Sequence, residues 1–458
     1  MKSKIMLSVI GLVMGSLFAD PYKDGDVVVF FGDSITHGGR YHEFITDFYR
    51  TRFPERQIRF INAGVGGDAA SRAINRIDND IVPYNPTHVT IHFGMNDVGR
   101  LFYSYYPEKR ELTGRVRAIE GWYNSTTRLV GAIKKAVPNA KLMYFTPTPY
   151  DDTAVNTNKS FGLYHSLFGC NGGLAMMAGH VIIRAEKEGV PYVNFYTPLN
   201  SFVSRHQKKD PSFMMTRKDR VHPTAIGHAI MAWTFLEAQN VPSTVSDVEI
   251  DAKELKALKC DNATVSDISG GENALQFKML AKSLPFPVVS NAVPYIAEFN
   301  VEEKFNRERL CVKGLSSGEY ELTIGTNVVG KWTSEELEKG ILLGFNTKTP
   351  QYAHAQEVFR RQEAVMYKER TVRNAHYARW CLTGKVDVND AKKVSEYYEK
   401  QKEIDKNFAK NFFIKFTPQY IEYWPKHEEV HAQLWEEQED IRKFAQPKEL
   451  KYEIKKVK

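Results

Sequence analysis

Between Asp26 and about Asn240, short apolar runs alternate with stretches of helical period. Val27-Val28-Val29-Phe30-Phe31 is apolar at every position, the pattern of a strand covered on both faces. A helical stretch follows to about Arg52. Ile58-Arg59-Phe60-Ile61 predicts a second strand, residues 69–80 a helix, and residues 88–93 a third strand. Residues 115–136 are helical and stop at Pro138-Asn139. Residues 141–146, 173–188 and 192–195 predict strand, helix and strand, and residues 223–237 a last helix with Pro223 in its first turn. Strands separated by helices predict an α/β fold. The expected form is flavodoxin-like, a three-layer αβα arrangement around a parallel five-stranded sheet, with ligands at the carboxyl ends of the strands.

The pattern changes after Asn240. Residues 245–333 hold β-favouring runs and turn signals without a long helical period. Residues 309–313 and 319–324 predict two strands across a glycine-rich hairpin turn, within a small β-sandwich-like domain. From about Pro350 the chain is helical, charged and aromatic, with no strand-like run longer than residues 412–416. The N-terminus is different again. Residues 1–4 are basic, residues 5–18 apolar or small, and Ala19 precedes polar Asp20-Pro21-Tyr22-Lys23. This is the pattern of a secretory signal cleaved after Ala19, too short to span a membrane, and it predicts a secreted or periplasmic protein. The expected organisation is a signal at 1–19, an α/β domain at 20–240, a β-rich domain at 241–345 and a helical region at 346–458.

The 458 residues are 42% hydrophobic and 26% charged, which excludes a disordered chain, a collagen-like fibre and a multispan membrane protein. The net charge of +7 includes Lys2 and Lys4 of the signal and is too weak a bias to imply nucleic acid. The four cysteines match neither a zinc site nor a redox pair. Cys260 and Cys311 both fall in the β-rich region, so one disulfide and four buried free thiols are both open.

Candidate chemistry gathers at strand ends. The first strand runs into Gly32-Asp33-Ser34, the second into Asn62-Ala63-Gly64-Val65-Gly66-Gly67-Asp68, and the third into Gly94-Met95-Asn96-Asp97. Asp219-Arg220-Val221-His222-Pro223 precedes the last helix. A serine hydroxyl needs a base to take its proton, and a histidine titrates near neutrality. An aspartate three residues before that histidine can hold its tautomer. A tetrahedral intermediate needs preorganised donors for its oxyanion, which backbone N–H groups and an asparagine amide supply. Asp33 and Asp97 read as supports of local turn geometry.

In order and content these motifs resemble the SGNH hydrolase family, the GDSL-type esterases, over about residues 27–236. The resemblance implies Ser34 as nucleophile, His222 as base with Asp219 behind it, and Ser34, Gly67 and Asn96 as oxyanion donors. Gly66 is an adjacent alternative to Gly67. No metal or cofactor is required. The implied activity is hydrolysis of small acyl esters. With the signal and the accessory regions, O-acetyl groups on a polysaccharide are the expected target, and the partners are acylated small molecules or polysaccharides.

Two other readings remain. One is a carbohydrate-binding protein on an inactive hydrolase scaffold. The other is a zinc peptidase on His427-Glu428-Glu429-Val430-His431, whose charged surroundings favour a solvated helix face. Gly314-Leu315-Ser316-Ser317-Gly318 imitates a nucleophile elbow but has strands on both sides. Phe102, Tyr103, Tyr105 and Tyr106 are candidates for a cleft wall or for packing, and Asn62 and Asn171 for reaching the substrate.

Overall fold

The computed structural model describes residues 19–103, 112–153, 169–411 and 414–457. Residues 1–18 of the expected signal, together with Tyr105, Tyr106 and residues 412–413, lie outside the described residues. Strand β1 (Val27–Gly32) pairs in parallel with β2 (Arg59–Gly64) on one side and β3 (His88–His92) on the other. Strands β4 (Lys141–Phe145) and β5 (Tyr192–Val193) extend the parallel sheet to the order β2-β1-β3-β4-β5. The order reverses beside β1, which places a crevice at the carboxyl ends of the central strands.

Alternate side chains of β1 enter two cores. Val28 and Phe30 pack under the helices Arg40–Arg52, Tyr196–Gln207 and Ala225–Ala238. Val29 and Phe31 pack under Leu112–Ala136 and Cys170–Glu188. Both faces are dry, so the strand carries no polar residue. Each such buried side chain contributes roughly 1.5–3 kcal/mol, and the sheet is a firm base for the loops at its edge.

Residues 69–80 are not the single helix expected. They form three short turns, Ala70–Ala73, Ile74–Arg76 and Ile77–Asp80, and the break falls where the Arg76 side chain turns into the core. The last helix begins at Ala225, because Pro223 is held in a β-bridge with Thr216. The helix Tyr196–Gln207 is additional to the predicted elements.

Two further sheets follow. One has the order β13 (Ile341–Leu342), β10 (Arg307–Lys313), β6 (Thr244–Asp251), β7 (Lys256–Asp261). The other runs β12 (Asn327–Thr333), β11 (Glu319–Ile324), β14 (Leu450–Lys456), β9 (Ala274–Ala281), β8 (Ala263–Gly271). They share one apolar core that includes Val248, Phe277, Leu322 and Ile454. The predicted strands around residues 314–318 exist, but β10 and β11 lie in different sheets. The turn is therefore a crossover and not a hairpin.

Helices Pro350–Leu382, Ala391–Ile404, Thr417–Tyr423 and His427–Phe444 lie between β13 and β14 in the chain. The return of the chain as β14 corrects the reading of the tail as free of longer strands. Tyr452 and Ile454 point into the core while Lys451 and Lys455 stay exposed, a period of two. The helix Pro350–Leu382 also packs on Arg40–Arg52 and on β2, so the polar helix Arg40–Arg52 is buried along most of its length.

All four cysteines are free thiols, with Cys260 exposed. Cys260 on β7 and Cys311 on β10 are separated by β6. Two strand spacings are roughly 10 Å, beyond disulfide reach.

Candidate active site

The Asp33 carboxylate caps the short helix Ser34–His37 and accepts the N–H of Ile35 at 2.9 Å. This fixes Ser34 at the first position of a turn directly beyond β1. The end of β2 lies against the same turn. A Cβ added to Gly64 would sit 2.1 Å from the His37 nitrogen, so only glycine permits this approach.

His222 arrives on a loop 188 residues away. The Arg217 N–H donates to the His222 carbonyl at 2.8 Å, and Arg220 takes a left-handed backbone (φ 65°). Asp219 Oδ1 accepts the backbone N–H groups of Val221 and His222 at 2.9 and 3.0 Å. Its Oδ2 is 2.7 Å from His222 Nδ1, and His222 Nε2 is 2.8 Å from Ser34 Oγ. An ionised carboxylate beside Nδ1 requires the ring proton there, which leaves Nε2 as acceptor for the serine O–H. Burial on its own would raise the Asp219 carboxyl. Hydrogen bonds from the His222 ring and from the two backbone amides outweigh it and hold the group down at about 2. About a third of each side chain remains exposed, 32% for His222 and 30% for Asp219, so the pair is open to substrate and water.

The expected oxyanion donors are fixed on neighbouring loops. Gly67 takes a left-handed backbone (φ 74°), and its carbonyl accepts from the Arg72 guanidinium. The Gly66 N–H is committed, donating to His37 Nδ1 at 3.1 Å. Asn96 uses one of its two amide N–H groups to donate to the Asp68 carbonyl at 2.8 Å, and its Oδ1 accepts from Arg100 at 3.3 Å. That pair of bonds sets which way the amide faces. Arg100 was not singled out from the sequence, although its position four residues after Asn96 is a local signal.

Behind these loops the buried Arg76 guanidinium donates to the carbonyls of Gly32 (2.9 Å) and Ala63 (2.7 Å) and to Asp68 Oδ2 (2.8 Å) and Asp80 Oδ2 (2.7 Å). It ties the ends of β1 and β2 to the Asp68 loop. Asp97 Oδ1 accepts the Ala70 N–H at 2.9 Å. Asp33 supports its own turn as expected, whereas Asp97 reaches across to the Ala70 segment instead of its own turn, and burial pushes their carboxyls up to about 6 and about 7.

Other candidates take structural places. Asn62 ties the end of β2 to the Ser34–His37 turn, donating to the His37 carbonyl and accepting the Gly64 N–H. Asn171 accepts the Tyr150 N–H and donates to Asn200. Tyr103 is buried and Phe102 packs against the same core, so the described half of that aromatic run is packing. On the helix His427–Phe444, His427 Nδ1 meets the Trp424 carbonyl at 2.7 Å while His431 Nε2 faces His376 Nε2 at 3.4 Å. Among the described residues no group of three or more His, Cys, Asp or Glu is arranged to hold a metal ion.

The profile of the GDSL-like Lipase/Acylhydrolase family matches residues 30–230. Residues 30–230 are thus the GDSL-like lipase/acylhydrolase (SGNH) region of the chain. An acetylxylan esterase of Geobacillus stearothermophilus is 25% identical over 230 residues, covering 46% of this chain and 93% of its own. A solved gut microbial diltiazem-metabolizing enzyme covers 97% of this chain and 100% of its own, at 28% identity and a TM-score of 0.83. The β and helical regions that accompany residues 30–230 also occur in this full-length structural relative.

Proposed function

We propose that the protein is a serine esterase that removes small acyl groups, acetyl above all, through Ser34, His222 and Asp219. The relay from Asp219 to His222 to Ser34, at 2.7 and 2.8 Å, carries this reading. Ser34 Oγ attacks the ester carbonyl carbon and its proton passes to His222 Nε2. The charge that develops on the carbonyl oxygen is met by the N–H groups of Ser34 and Gly67 and by the free N–H of Asn96. Gly67 is favoured over Gly66 because the Gly66 N–H is already engaged by His37. His222 then protonates the departing alcohol, the C–O bond breaks, and Ser34 is left acylated. Water adds to the acyl-enzyme as His222 takes its proton, and the carboxylic acid departs with the serine restored. Asp219 stays ionised throughout and stabilises the imidazolium.

The substrate proposed is an O-acetyl ester of a polysaccharide or of a small molecule. Likeness to an acetylxylan esterase supports the first, and the end-to-end likeness to a diltiazem-metabolizing enzyme supports the second. The basic and apolar start of the chain supports a secreted or periplasmic location. Among the described residues no helix is long and apolar enough to cross a membrane. Ser34→Ala is expected to abolish hydrolysis of an aryl acetate and acetate release from acetylated xylan, with its melting temperature kept. Hydrolysis retained in that variant overturns the reading.

A further inference from the structure

The helix Pro350–Leu382 belongs to the C-terminal half of the chain, yet one of its faces follows the loop from Gly64 to Gly67. Arg373, 3% exposed, donates from Nε to the Gly64 carbonyl. Its Nη1 and Nη2 bind Asp80 at 2.9 and 2.6 Å, and Asp80 also receives Arg76. The next residue, Asn374, places Oδ1 at 3.0 Å from His37 Nε2. Since His37 Nδ1 accepts the Gly66 N–H, the ring proton must sit on Nε2 and is donated to Asn374. Tyr377 packs with Val65, its ring 6.0 Å from that of His37. Trp380 stacks on Tyr377 and lies 6.0 Å from the guanidinium of Arg72, which itself holds the Gly67 carbonyl. Positions 373, 374, 377 and 380 share one helical face, and each of Gly64, Val65, Gly66 and Gly67 is held by it directly or through one intermediary.

We propose that this helix is the back wall of the oxyanion hole, with Arg373 and Asn374 as positioning residues that set the Gly64–Gly67 backbone. The proposal rests on the esterase reading above. It gives the C-terminal half a role in the chemical step, separate from any part in choosing the substrate. Burial and the Arg373 charge push His37 down to about 3, so the ring is neutral at working pH and Nδ1 is always available to Gly66. The tautomer is fixed only if something accepts from Nε2, and that acceptor is Asn374.

The test compares Asn374→Leu, which removes the acceptor, with Asn374→Gln, which keeps a neutral amide acceptor, using aryl acetate hydrolysis and melting temperature on the full chain. Asn374→Leu is expected to lower kcat by about tenfold or more with KM within about twofold, because a small misplacement of a donor acts on the transition state. Asn374→Gln is expected to stay within about threefold of the parent. If Asn374→Leu does not fold, Arg373→Lys replaces it, since lysine keeps a cation for Asp80 but lacks the Nε–H taken by Gly64. Unchanged kcat in the tested variant, or equal loss in Asn374→Leu and Asn374→Gln in step with stability, overturns the proposal while hydrolysis still depends on Ser34. Hydrolysis that survives Ser34→Ala removes the esterase reading itself, and the positioning role with it.

Discussion

Two histidines serve the Ser34 turn, and their surroundings give them opposite properties. His222 lies in an open loop, a third exposed, with the Asp219 carboxylate on one nitrogen and the serine hydroxyl on the other. His37 lies at the junction of β1, β2 and the helix Pro350–Leu382, with a backbone amide on one nitrogen and a side-chain amide on the other. A carboxylate stabilises the imidazolium and water gives protons a route, so the first site favours proton transfer. Neutral amides and burial hold the second ring uncharged in one tautomer, which suits a strut. The same side chain works as a base or as a brace according to its two partners.

The strongest way to break this contrast is to remove the carboxylate from His222. Asp219→Asn is expected to lower kcat by roughly 10²–10⁴, because an amide can pair with the wrong tautomer. A variant within tenfold of the parent would mean that His222 does not depend on its partner. Next in size is Asn96→Ala, expected to cost on the order of 10²–10³ in kcat with little change in KM. A loss seen only in KM would make Asn96 a ground-state contact. The smallest effect concerns His37 and is read in stability. Its folded pKa of about 3 lies below the ordinary histidine value, through burial and then the charges of Arg373, Arg76 and Lys415. The unfolded chain therefore takes up a proton that the folded one refuses. Stability from this group is complete above about pH 6.5 and declines as the pH falls towards 3. His37→Gln, with a neutral donor and acceptor, should melt with a shallower pH dependence over that interval. An identical slope would show that His37 is not the buried neutral ring described.

The sheet was readable from the sequence because its strands are covered on both faces, as the unbroken run at β1 shows. The relay was readable because each member sits at a strand end or beside a helix start, where short motifs keep their spacing. What escaped had weaker local signals. β14 carries four charged residues among its seven, which masked its period of two. Residues 69–80 looked like one helix because the sequence does not show that Arg76 must turn inward to reach Gly32 and Ala63. The contacts of Arg373 and Asn374 span 309 and 337 residues, and no local pattern encodes a pairing at that distance. Glycine spacing alone left Gly66 and Gly67 equivalent, and only the His37 contact separates them.

The central claim is that Ser34 is made nucleophilic by His222. Its most direct measurement is the intact mass of the protein after treatment with an active-serine phosphonate reagent, followed by mapping of the modified peptide. One adduct, located on Ser34, lost in His222→Ala and accompanied by complete inactivation, is the predicted result. Full labelling at any other residue, or labelling of Ser34 that is undiminished in His222→Ala, would contradict it.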